Sequence, residues 1–511
     1  MQRKMIVLVM GLFLLILGGT GVAAAADQQV IGQAAGSSQT ASSTATSTQE
    51  SPSNQNIDVR IFSPGDAGAV TQTNSSAAAA LAANGNDTDQ SAQQQQAGGS
   101  GATQAVGQDA ASTQTASSDA TSTQTHPSNT NIAVRIDSPG NGGAVEQTNS
   151  SAAGSAALNK NDTDQSANQQ HGGGACCGTG GATQAVGQKA RSTQDADSTA
   201  TSTQTHPSNT NIAVRIGSSG NNGAVTQSNS STAAALAANG NDADQSATQQ
   251  QAGGACCGAG GGTQAVGQGA WSHQSATSNA TSSQDKPSNT NIPVRIGSPG
   301  DDGQVTQTNA SVALSAALNH NDTDQTATQT QGGGTCCAPG TGVQAIGQKA
   351  DSDQTATSDA TSTQDHPSNT NTPVRIKSYG DDGSVTQTNL SLAGSLAANH
   401  NDTDQTATQT QGGSSNCCTP PTRMPLTDTN PCCHGGTGVQ AIGQFADSDQ
   451  TADSSADARQ TAPCNFNGPV RESSPGTGGS VEQSNGSLAG SLALNGNWLT
   501  QYAAQQQGGV T

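Results

Sequence analysis

With 511 residues, only 30% of them hydrophobic, and with two Trp, two Tyr and four Phe, the chain lacks the material to fill several ordinary globular cores. Charged residues make up 10% and leave a net charge of −20 and a sequence pI near 4.4, which excludes the basic stripe that nucleic-acid binding needs. The remainder is rich in Gln, Asn, Ser, Thr, Ala and Gly, a composition that is either disordered or ordered by hydrogen bonds between stacked strands.

The first element reads as a secretory signal peptide over residues 1–26: Arg3 and Lys4, an apolar run over 6–17, and Ala24-x-Ala26 before Asp27. The apolar run is short for a membrane span, so the expected mature chain is exported, secreted or at the cell surface, with no stable membrane span after signal removal. An uncleaved anchor is the alternative.

Six repeats follow, over 27–101, 102–181, 182–262, 263–342, 343–438 and 439–511, the fifth with a Cys/Pro-rich insertion and the sixth with a C-terminal cap. Their anchors Gly32, Gly107, Gly187, Gly267, Gly347 and Gly443 give periods of 75, 80, 80, 80 and 96 residues. In each, the spacing Gln-x-Ala-x3-Gln occurs twice. The first series starts at Gln33, Gln108 (ending at Gln114), Gln188, Gln268, Gln348 and Gln444; the second starts at Gln90, Gln165, Gln245, Gln325, Gln405 and Gln501, with His171 closing the Gln165 copy. The offset between series is always 57 residues, whereas the step to the next repeat varies as 18, 23, 23, 23 and 39. Fixed length on one side and drift on the other predict an ordered unit joined by tolerant turns.

In the second repeat every alternate residue from Gln104 to Gln124 is small or an amide, while Asp109, Thr113, Thr115 and Asp119 lie between. On a strand one set faces inward and the other meets water. Val145, Gln147, Asn149, Asn159, Asn161, Thr163, Gln165, Ala167 and Gln169 share a parity in the same way. The Ala-rich middle, such as 77–83, reads as strand or turn, with a short helix as the alternative. Ile132, Val134 and Ile136, between Pro127 and the Ser138-Pro139-Gly140 cluster, predict a further strand.

The expected fold is therefore all-β, a repetitive solenoid of stacked strand-turn-strand rungs with Gln/Asn ladders; a largely disordered low-complexity chain is the alternative. With three or four rungs per repeat about 4.8 Å apart, equivalent residues in neighbouring repeats would be separated by roughly 14–19 Å.

The Gln-x-Ala-x3-Gln spacing resembles the second half of the curlin repeat, Ser-x5-Gln-x-Gly-x-x-Asn-x-Ala-x3-Gln, with Gln108 at the Asn position and Ala110 and Gln114 at the next two. The 23-residue step from Gln165 to Gln188 is close to the curlin repeat length. The resemblance implies a secreted fibre subunit whose inward Gln and Asn ladders stack and whose ends join. The Gln-x-Gly half is not reproduced, and the Val-Arg-Ile element is additional.

The cysteines Cys176, Cys177, Cys256, Cys257, Cys336, Cys337, Cys417, Cys418, Cys432, Cys433 and Cys464 are disulfide candidates in an exported chain. Intermolecular bonds, vicinal bonds and free thiols remain open. Cys432-Cys433-His434 lacks the CxxC spacing of a structural zinc site, so no metal or other cofactor is expected. His126, His206 and His366 share a column with Ser51 and Lys286, which argues for loop residues rather than a catalytic base. The acid pairs Asp87/Asp89 through Asp402/Asp404 read as a solvated face, with weak Ca²⁺ binding as the alternative. The Arg column, Arg60 to Arg471, is expected to pair with acidic loops such as Asp301 and Asp302. Trp498 and Tyr502, where other copies carry polar residues, read as an end cap or a docking patch.

No catalytic constellation emerges. The leading expectation is a self-associating structural protein of extracellular fibres, a surface layer or matrix, with other surface or matrix components as further partners. A solenoid that binds ice or carbohydrate and a disordered cysteine-crosslinked polymer are the alternatives. The ice-binding version is weakened because the Thr rows, such as Thr121 and Thr123, lack a regular Thr-x-Thr in every rung.

Overall fold

The computed structural model describes residues 28–97, 102–172, 182–252, 262–332, 342–412 and 438–507. The signal-peptide reading and every cysteine but Cys464 fall outside them.

Each repeat forms one coil of a parallel β-solenoid. The first coil runs through strands Gln28–Glu50, Ser53–Ile61 and Val70–Gln96, and the second through Thr103–Thr125, Ser128–Ile136 and Val145–His171. The pattern recurs in all six coils and builds three parallel sheets: two long walls of six strands, and a short sheet of eight. The eight arise because the short strand is split in the last two coils, as in Ser368–Asn371 and Val374–Ile376. There Pro373 follows Pro293 in the column, so two successive residues lack the donor a ladder needs. Residues 77–83, read as strand or turn, lie within a 27-residue strand.

The register pairs like with like: Gln33 opposite Gln108, Ala35 opposite Ala110, and so on up the stack. The expectation of three or four rungs per repeat is therefore corrected. One repeat climbs a single strand spacing, about 4.8 Å, and the separation of roughly 14–19 Å falls with it. Period-two patterning tells which face a residue takes, not how far a strand runs before it turns.

The walls meet on their inward residues. Gln104, Val106, Gln108, Ala110, Ser112, Gln114, Ala116, Ser118, Ala120, Ser122 and Gln124 are all buried. Apolar packing is confined to thin columns, Ala116, Ala196, Ala276 and Ala356 in one and Val106, Val186, Val266 and Ile346 in another. Alanine buries little area, so apolar burial alone leaves most of the backbone entropy of ordering uncompensated.

The corner between the first two strands is one residue in the left-handed region, with φ of 50° at Ser51, 52° at His126 and 51° at His206. This is what the His/Ser/Lys column does. The arc before the second wall stacks backbone on backbone: a Cβ on Gly140, whose φ is +139°, would lie 2.2 Å from the Gly65 carbonyl oxygen, so glycine is required there.

Candidate functional site: amide ladders and the two open ends

The Gln residues of each series form continuous ladders. In the first, the Nε2 of Gln108, Gln188, Gln268, Gln348 and Gln444 each donates over 2.8 Å to the Oε1 of its counterpart one coil earlier. In the second, Gln165, Gln245, Gln325 and Gln405 do the same over 2.8 Å and Gln501 over 2.7 Å. The two series are neighbours across the interior, since Gln188 Nε2 also donates to the Gln165 carbonyl at 2.9 Å and to that of Ser246 at 3.0 Å. These carbonyls fix which end of the amide is nitrogen.

Asn columns run with the opposite polarity. Asn54 Nδ2 donates forward to Asn129 Oδ1 at 2.8 Å, and Asn129 to Asn209 at 2.9 Å. Asn86 donates to Asn161 and Asn161 to Asn241, both at 2.8 Å. Serine hydroxyls add a zigzag between the walls, from Ser122 to Ser76 and from Ser151 to Ser122, both at 2.9 Å. Within one repeat the Asn54 column and the serine zigzag look like ordinary polar sequence; their recurrence at the repeat period is the signal that locates them.

Opposed polarity makes the two ends different. The first coil presents Gln amide nitrogens and Asn carbonyl oxygens, and the sixth presents Gln oxygens and Asn nitrogens. Among the described residues neither end is covered: Asn495, Gln501 and Gln505 are exposed. The end-cap reading of Trp498 and Tyr502 is corrected, because both stand on the outer wall, 56% and 58% exposed, with Trp498 tilted against His400 at 4.7 Å. Their parity turns them away from the interior.

The outer faces carry three arrays. The acid pairs stack in register, Asp162 beside Asp242 and Asp164 beside Asp244. Partial burial first, and then repulsion from Asp242 and the neighbouring acids, pushes Asp244 up to about 6; Asp164, Asp242, Asp322 and Asp324 are raised for the same reasons. Thr-x-Thr is present at 46/48, 121/123, 201/203 and 361/363, with Thr281/Ser283 between, so five successive coils carry adjacent hydroxyl rows. The sixth coil carries Asp457 and Arg459 in these rows, so Thr-x-Thr is not present in every coil, as the sequence indicates. A third array is a shallow groove where the Arg191 guanidinium lies 5.3 Å from the Trp271 ring centroid, with Lys349 and Phe445 beside it.

The Arg column turns inward while Ile57, Val59 and Ile61 face out at 50–57% exposure. Arg295 Nε meets Asp302 at 2.7 Å, Arg375 reaches both Asp302 at 2.8 Å and Asp382 at 2.6 Å, and the two guanidinium side chains are 0% exposed. Cys464, in the short strand Cys464–Asn467, is a free, exposed thiol. Among the described residues no group of three or more His, Cys, Asp or Glu could hold a metal, and no helix is long and apolar enough to cross a membrane.

Compared with known protein families, curated proteins and solved structures, the chain matches none.

Proposed function

We propose that this is an exported structural protein that assembles through β-coil stacking into extracellular fibres, a surface layer or a matrix. The observation that carries the reading is the complementarity of the ends. Gln oxygens on the sixth coil face the same way as the bonds that already join each coil to the next, and Gln nitrogens on the first coil are their counterparts. A second copy placed on the sixth coil continues the Gln and Asn ladders and the strand edges. This head-to-tail contact is heterologous and does not close, so it gives open fibres. Export rests on the signal-peptide pattern over 1–26, and kinship to curlin-type fibre subunits rests on the Gln-x-Ala-x3-Gln segments.

The test uses polarity. Gln33→Glu with Gln39→Glu places acceptors against acceptors at the first coil and leaves the sixth intact. Such a variant adds to a wild-type fibre by its sixth coil and then blocks growth, so a small fraction of it shortens fibres in electron micrographs. Unchanged fibre length, or a wild-type chain that stays monomeric at high concentration, refutes the reading.

The in-register Thr rows favour a second reading, a secreted solenoid that orders water at ice, and the Trp271 groove favours carbohydrate. Thermal hysteresis of freezing by the monomer, lost on Thr121→Val with Thr201→Val, would support the ice-binding version.

A further inference from the structure

The inward Arg column is not equally neutralised along the stack. The residue seven beyond each Arg is Asp302 in the fourth coil and Asp382 in the fifth, but Asn222 in the third and Gly142 in the second. Asp302 bridges two coils, accepting from Arg295 Nε on one oxygen and from Arg375 on the other. Asn222 offers a neutral oxygen to Arg215 Nε at 2.7 Å and passes its amide to Asp302 at 2.6 Å. At Gly142 there is no side chain at all. Arg135 and Arg215 are nonetheless each only 2% exposed, and each spends its terminal nitrogens on carbonyls: Gly65 and Asn141 for Arg135, Gly140 and Asn221 for Arg215.

The nearest carboxylates are engaged elsewhere, Asp302 beside Arg215 being held by Arg295 and Arg375. Asp66 accepts the Asn141 amide at 2.6 Å and Asp58 pairs with Arg60 at 3.3 Å. Gly142 borders a cavity. This cavity, of about 360 Å³, runs through the arcs and is lined by Arg135, Arg215, Gly142 and Asn222, with Arg60 and the carboxylates of Asp58 and Asp302 also on its wall. A Cβ built on Gly142 would lie 3.4 Å from an Arg215 terminal nitrogen and 3.1 Å from the Gly223 amide nitrogen. Burial, followed by repulsion from Arg295 and Arg135, lowers the Arg215 pKa to about 10. Uncompensated buried cations are costly, and paired or ligated ones much less so.

We propose that the space beside Gly142 is a binding site for a small monovalent anion, a halide or a short carboxylate, held between the guanidinium groups of Arg135 and Arg215. The anion stands where Asp302 and Asp382 place their own carboxylates two and three coils further on. The site is independent of whether the chain forms fibres.

The test is the chlorine-35 linewidth of sodium chloride with the full chain at constant ionic strength. Bound chloride broadens the line; sodium acetate is expected to compete, and Gly142→Asp, which supplies the carboxylate covalently, is expected to abolish the excess broadening. Gly142→Asn, the residue of the third coil, fills the same space and is expected to abolish it too, so one misfolded variant does not end the test; circular dichroism identifies the folded one. No excess broadening by the wild type, or the same broadening in a folded Gly142 variant, overturns the proposal.

Discussion

The side-chain amide of Gln188 lies 2.8 Å from the oxygen of Gln108 one coil below and 2.9 Å from the backbone carbonyl of Gln165 on the facing wall. One side chain thus ties a coil to its neighbour and one wall to the other. Replacing Gln108 and Gln188 by Leu strands Gln33 Oε1 and the facing carbonyls without donors, at about 1–3 kcal/mol for each buried group left unpaired. The expected outcome is a clear fall in the thermal midpoint and slower assembly. An unchanged melting and assembly profile would remove the ladder argument.

Asp302 is 7% exposed in its side chain and holds two fully buried arginines. Asp302→Asn keeps the shape and removes the charge. Breaking a buried pair on one side costs about 3–5 kcal/mol, expected as a lower denaturant midpoint with little change of slope.

The stacked acids give a pH dependence whose sign follows from their raised pKa values. An Asp whose folded pKa lies above its unfolded value takes up protons on folding, so stability falls as pH rises. For Asp244, the favourable contribution is fully present below the ordinary carboxylate range and is lost as pH climbs through about 6. Asp244→Asn is therefore expected to raise stability at pH 7 to 8, with the gain vanishing below about pH 4. A gain that does not depend on pH would contradict the electrostatic account.

His171 sits in a Gln column between Gln96 and Gln251, is 6% exposed, and among the described residues neither ring nitrogen has a hydrogen-bond partner. Burial lowers its pKa, so the folded state loses stability as pH falls below the ordinary imidazole value of about 6.5. His171→Gln restores the column residue and is expected to raise the melting temperature, most at acidic pH. A lower midpoint across the whole pH range would count against the ladder geometry at this position.

The inward face was legible because Gln108, Ala110 and Gln114 keep one parity through 23 residues, and the fixed 57-residue offset marks the two walls that must stay in register. Coil size was not legible. Strands of 23 and 27 residues far exceed the usual 3–10; Pro127 marks the corner that ends the first, but not that a single left-handed residue, His126, turns the chain within the same coil. Ile132 and Val134 marked a strand correctly but gave no sign that Arg135 would take the interior. That choice is made by stacked arc carbonyls such as Gly65 O and Asn141 O, which exist only once the coils are in place.

The claim that one repeat is one coil is tested most directly by a distance. Thr44 and Asp359 are outward residues of one column, four coils apart through Asp119, Thr199 and Asn279. Spin labels on non-canonical side chains at these two positions, measured by electron double resonance in a dilute sample, should be separated by about 19 Å, four strand spacings of about 4.8 Å. A separation of about 58–77 Å, as three or four rungs per repeat would give at the same spacing, would contradict it.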